Sequence, residues 1–166
     1  MNGKPQVPAI DGWYSMDAEQ PHLIGSRCLH CQTYFFPRQF SYCRNPACES
    51  NEFEEVELSR TGVIWSYTDA CYQPPEPFVA DDPFQPFAIA AVRLEKEQMV
   101  VLGQVASGIT VAELKLGLPM ELVLETLHED NTETRVTWKW RPLASSSQPA
   151  KIGSEHINQP GESHVH

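Results

Sequence analysis

The chain of 166 residues is 41% hydrophobic, which suits one ordinary domain or two small ones and is too short for the large α/β folds that hold cofactors in deep clefts. Its 12 basic and 22 acidic residues give a formal net charge of −10, which opposes attraction to phosphate backbones and anionic membranes, so neither nucleic acid nor a membrane is expected as a partner. No run approaches a membrane span, and Met1 to Gly12 lacks the apolar core of a signal peptide, so a cytoplasmic location with reduced cysteines is expected.

Residues 1–20 read as a polar leading arm, interrupted by Pro5 and Pro8 yet carrying Ile10, Trp13 and Tyr14. Aromatic residues in such an arm dock, either on their own domain or on a partner protein, where Trp and Tyr are enriched. His22 to Arg27 then reads as a short strand entering the stretch RCLHCQTYFFPRQFSYCRNPAC at 27–48. There Cys28 and Cys31 stand two residues apart and Cys43 and Cys48 four apart, with eleven residues between the pairs. Each close pair of thiolates grips one edge of a tetrahedron, and the hairpin between them brings the edges together, so the spacing points to a structural zinc ion. Four cysteines saturate the ion and leave no open position for water or substrate, so the site holds shape and performs no chemistry. Four thiolates also suit iron, and Gln32 and Glu49 stand where a knuckle glycine would favour that reading. His22 and His30 read as solvated or capping residues beside the four cysteines. Tyr34, Phe35, Phe36 and Phe40 give the ribbon, residues 21–58, more apolar surface than so small a unit can bury.

Phe53 to Leu58 is an acidic, strand-like connector, after which a period of two sets in. Residues 63–68 and 87–94 read as strands, and the polar turn Glu95 to Gln98 folds the second back on Met99 to Leu102, with Gly103 marking a bulge or sharp bend. Thr110-Val-Ala-Glu113 has the form of a capping box, and Gly117 is placed to end a helix of about two turns. Beyond Pro119, Met120, Leu122 and Leu124 alternate with polar residues, as do Val136, Trp138 and Trp140. Five strands with a short helix between the third and fourth is the order of an OB-fold barrel, here residues 59–141. The tryptophans at 138 and 140 are placed in its core rather than on a base-stacking platform.

Residues 142–166 hold no aromatic residue and are expected to be disordered, with His156, His164 and His166 too scattered for a metal site. Cys71 is the one cysteine outside the metal set, and with neither a base nor a cationic neighbour in sequence it reads as inert. The loop after it is long and rich in proline, and loops of more than about 12 to 15 residues serve as lids or binding loops. Tyr72, Pro74, Pro75 and Phe78 are its candidate covering residues.

The four cysteines, the Phe36-Pro37 pair and the run GVIWSYT at 62–68 resemble the family of OB-fold proteins with a rubredoxin-type zinc ribbon, long called a domain of unknown function and found beside thiolase-like enzymes. The resemblance spans about residues 8 to 141. Within it, VPAIDGWYS, PHLIGSRC, ACYQPPEP, PFAIAAVRLEKE and TWKWRP are similar to the small subunits of benzoylsuccinyl-CoA thiolases of anaerobic toluene degradation. This resemblance implies a non-catalytic partner of a larger thiolase subunit, in a complex that splits benzoylsuccinyl-CoA with coenzyme A into benzoyl-CoA and succinyl-CoA. It implies no catalytic residue here, and contact with coenzyme A or acyl-CoA only within the complex. Trp13, Tyr14, Tyr34, Phe35 and Phe36 are the expected anchors on that partner. A stand-alone acyl-CoA-binding protein and a nucleic-acid-binding module are the alternatives.

Overall fold

The computed structural model describes residues 4–76 and 82–144 as a mostly β chain in which only Val111–Glu113 turn helically. Among the described residues, nine strands fall into two sheets. The smaller is the ribbon: β2 (Ile24–Cys28) lies between β3 (Tyr34–Phe35) and β4 (Phe53–Glu57), antiparallel to both. Arg27 and Glu54 are cross-strand neighbours, with Arg27 Nε 2.6 Å from the carboxylate, and Arg38, beyond β3, pairs with Glu55.

The larger sheet has the order β1-β9-β8-β5-β6-β7, built from β1 (Gln6–Pro8), β5 (Thr61–Ala70), β6 (Phe87–Leu94), β7 (Met99–Gln104), β8 (Pro119–Glu129) and β9 (Thr134–Pro142). The meander β5-β6-β7 is antiparallel, β8 returns to pair with β5, and β9 pairs with β8. A parallel bridge from Val105 to Trp140 and the Ala106 N–H on the Trp140 carbonyl, at 2.8 Å, then draw the curled sheet toward closure. That is the pairing of an OB barrel. The curl is helped by a bulge in β5 between Ile64 and Ser66, which leaves Trp65 as the extra residue.

Inward alternation follows the apolar pattern: Ile64, Ala90, Val92, Leu94, Val101, Met120, Leu122 and Trp140 are buried in one core with Trp138. The arm belongs to the same core. Gln6 to Pro8 lie parallel to Thr134 to Val136, and the Tyr14 hydroxyl donates to the Val136 carbonyl at 2.7 Å while accepting from the Ala9 N–H at 2.9 Å. Tyr14 is only 3% exposed and packs in the core of its own chain. A chain of edge-to-face rings ties the three parts together: Trp13 to Phe36 at 5.5 Å, Phe36 to Trp138 at 6.3 Å and Trp138 to Trp140 at 5.8 Å.

Two local expectations are corrected. The helix expected after Thr110 is a single 3₁₀ turn, because Leu114 at φ −91°, ψ 152° already returns to extended backbone. Glu113 does fold back, accepting from the Thr110 N–H at 2.8 Å and hydroxyl at 2.9 Å, while Gly117 at φ +76° forms the next turn and donates to the Ile64 carbonyl. Gly103 marks no bulge, for β6 and β7 stay in register through it. A Cβ there would lie 2.2 Å from the Trp138 ring, so this glycine makes room for an aromatic face. Of the tail expected to be disordered, 142–166, Pro142 ends β9 and the Leu143 N–H donates to the Pro119 carbonyl, while residues 145–166, like the covering residue Phe78, lie outside the described residues.

Candidate metal centre

Cys28 ends β2, and the chain turns so tightly behind it that the Gln32 N–H reaches the Cys28 carbonyl at 3.0 Å. This knuckle lacks the expected glycine, and Gln32 itself takes the left-handed conformation at φ +62°, its side-chain amide donating to the Leu29 carbonyl at 2.8 Å. The longer second gap closes differently. Asn45 accepts the Ala47 N–H on its side chain at 3.0 Å and the Cys48 N–H on its carbonyl at 2.9 Å, so the two extra residues form a turn that returns Cys48 to Cys43.

The four sulfurs lie within 4.8 Å of one another, with Cys28 3.9 Å from Cys48 and Cys31 3.5 Å from Cys43. A zinc ion with sulfurs at about 2.3 Å needs tetrahedral edges of about 3.8 Å, so the cage fits and can bind a structural zinc ion. Hydrogen bonding by Thr33, hydroxyl first and then backbone, lowers the Cys31 thiol to about 6, whereas burial pushes Cys43 up to about 12. A divalent ion supplies the positive charge that lets the buried sulfur stay ionised. Phe35 and Phe53 close over the cage edge-to-face at 6.0 Å. His22 turns its Nδ1 to the Leu58 carbonyl at 3.1 Å and His30 is exposed, so neither joins the sulfurs.

Of the aromatic residues expected on a partner, Trp13, Tyr34 and Phe36 are half-buried against the barrel core, and Phe35 is half-buried against the cysteines. Tyr34 also lies under the Arg27 guanidinium, 5.9 Å from ring centre to Cζ. The apolar side chains left to solvent include others: Trp65 (61% exposed), Leu102 (66%) and Leu116 (68%) on the barrel, Phe40 and Tyr42 on the ribbon. The bulge that turns Trp65 outward breaks the alternation, so period-two reading of 63–68 does not find it.

Cys71 is exposed and, among the described residues, has no hydrogen-bond or ion-pair partner. Tyr72 is 78% exposed, Pro75 is exposed and Pro74 is half-buried. Phe84, farther along that loop, and Phe87, at the start of β6, line a groove of about 460 Å³ together with Ser107 and Lys139. Lys139, only 8% exposed, donates to Ser107 Oγ at 3.0 Å and lies 2.9 Å from a Glu125 carboxylate oxygen. Burial pushes the Glu125 carboxyl up, but Lys139 and Ser107 together hold it below its ordinary value. Lys139 thereby ties β8, β9 and the Ser107 turn together.

The chain thus joins a four-cysteine ribbon to an OB barrel. Residues 17–54 match the ChsH2 rubredoxin-like zinc ribbon domain and residues 55–125 the ChsH2 C-terminal OB-fold domain. The chain is 31% identical over 124 residues, 73% of its length and 82% of the relative's, to a DUF35 domain-containing scaffold protein of Methanocaldococcus jannaschii, and it belongs to this DUF35 family. A shorter stretch of 53 residues, 32% of this chain and 35% of the relative's, is 43% identical to benzoylsuccinyl-CoA thiolase subunit BbsA of Thauera aromatica. Among solved structures, the Ltp2-ChsH2(DUF35) aldolase aligns with a TM-score of 0.53 at 29% identity, covering 82% of this chain and 98% of that one. No helix among the described residues is long and apolar enough to cross a membrane.

Proposed function

We propose that this chain is the non-catalytic subunit of a heteromeric thiolase acting on benzoylsuccinyl-CoA, required for assembly and for covering the acyl-CoA site of a larger catalytic partner. The observation that carries this reading is the pairing of family membership with a metal site that can do no chemistry: DUF35 relatives include a scaffold protein and a thiolase subunit, and the four sulfurs here leave a zinc ion no open position. The local similarity to the thiolase subunit supports the choice of acyl-CoA. Tyr72, Pro74 and Pro75 border the partner's substrate entrance in this scheme, and prolines reduce the conformational freedom that covering it removes. Reduced thiols suit a cytoplasmic setting.

The reading is tested by purifying the tagged chain from its source cells, identifying what travels with it, and assaying benzoylsuccinyl-CoA cleavage by coenzyme A. Activity is expected from the complex and none from the chain alone. A second reading, an aldolase subunit, is favoured by the structural likeness to the Ltp2-ChsH2 aldolase; a co-purified aldolase without thiolase activity would select it.

A further inference from the structure

Cross-strand register puts Val63, Arg93 and Val100 in one row across β5, β6 and β7, and Ser66, Ala91 and Leu102 in the next, with the bulged Trp65 beside the second. The opposite face of the same strands is the barrel core, since Ile64, Val92 and Val101 are all buried. On the outer face Trp65, Val100 and Leu102 stand exposed. Strand β7, MVVLGQ, is an outer strand of the sheet and carries no charge, the device by which exposed strands usually resist unwanted association. Arg93 is the only charge in these rows, is exposed, and among the described residues has no ion-pair partner, in a chain that is otherwise 20% charged and strongly acidic.

We infer that this outer face of β5-β6-β7 is the docking surface for the catalytic partner, which meets it with an apolar patch and places a carboxylate against Arg93. The charge pattern decides the occupant. A second copy pairing face to face would repeat the same rows, bringing two guanidinium groups and no acid into a desolvated contact, which is costly. Nucleic acid and anionic membrane are opposed by the net charge of −10. A different protein with one acidic group among apolar ones satisfies every element of the patch, and Trp and Arg are the residue types that dominate such contacts. The identity of that protein as a thiolase rests on the function proposed above; the location of the contact does not.

The experiment is hydroxyl-radical footprinting of the complex purified from source cells through the tagged full chain, compared with the isolated chain, and with the partner identified by mass spectrometry. Trp65 and Leu102 are expected to be protected at least fivefold, while Phe40 and Tyr42 on the ribbon change less than twofold. Leu102→Asp and Arg93→Glu, each checked for retained zinc and unchanged melting temperature, are expected to lower the yield of complex at least tenfold, and Phe40→Ala to leave it within twofold. A thiolase partner with Trp65 unprotected overturns the docking face and leaves the function standing. An unrelated protein covering Trp65 retains the face and overturns the function. A homodimer protected at Trp65, or a chain that purifies alone, overturns the inference.

Discussion

Gly103 shows how one residue can hold a barrel shut. Its missing side chain is where the Trp138 ring rests, and Trp138 in turn meets both Trp140 and Phe36. Any Cβ at position 103 drives the ring out of its place, because backbone on one side and a packed indole on the other leave little room to yield. Gly103→Ala is therefore expected to destabilise the protein by about 1 to 3 kcal/mol, the usual cost of overpacking a core, despite the gain from restricting a glycine in the unfolded chain. Denaturant unfolding followed by tryptophan fluorescence measures it, and an unchanged midpoint would show that the ring has somewhere else to go. Trp140 is buried and, among the described residues, its indole N–H has no partner, so the stack rests on ring contacts and burial.

At the scale of elements, the ribbon has three short strands and a cysteine cage in place of a core of its own. Little apolar area supports it, so the metal supplies what the residues do not. Cys43→Ser, or removal of zinc by a chelator, is expected to unfold residues 24–57 and to release one zinc per chain in a metal-indicator assay. A ribbon whose amide protection survives chelation would refute that dependence. Because the ion displaces thiol protons, its affinity falls as pH is lowered, and the cage is expected to empty on the acid side.

How far such elements could be read from sequence differs along the chain. Cysteine spacing revealed the cage and the period of two revealed β5 to β9, since both are local patterns. The arm was less legible: Gln6 to Pro8 pair with Thr134 to Val136, a contact between distant segments that leaves no periodic trace. Lys139, which alternates with Trp138 and Trp140, is buried because Glu125 on the neighbouring strand pairs with it, again a contact between distant segments. The one-turn 3₁₀ segment follows from the same limit, for a capping box begins a helix but cannot lengthen it.

Taken whole, the molecule separates its functions by place. The cage sets the ribbon, the ribbon and arm pack on the barrel through aromatic edges, and the outer face of β5-β6-β7, whose rows carry Arg93 as their one charge, is the proposed place of association. The acidic remainder keeps other surfaces apart, so binding specificity arises from where charge is missing as much as from where it stands.

The ring chain from Trp13 through Phe36 to Trp138 and Trp140 also makes the protein its own optical gauge. Coupled edge-to-face indoles give circular-dichroism bands that vanish when their mutual orientation is lost, and here that orientation depends on a ribbon residue lying between arm and barrel. Of the four tryptophans, Trp65 is the one open to solvent, so its red-shifted, iodide-quenchable emission reports on the outer face alone. Zinc loss is expected to alter the near-ultraviolet dichroism with little change in quenching, and partner binding to suppress quenching with little change in dichroism. One unlabelled sample then distinguishes a collapsed ribbon from a covered face.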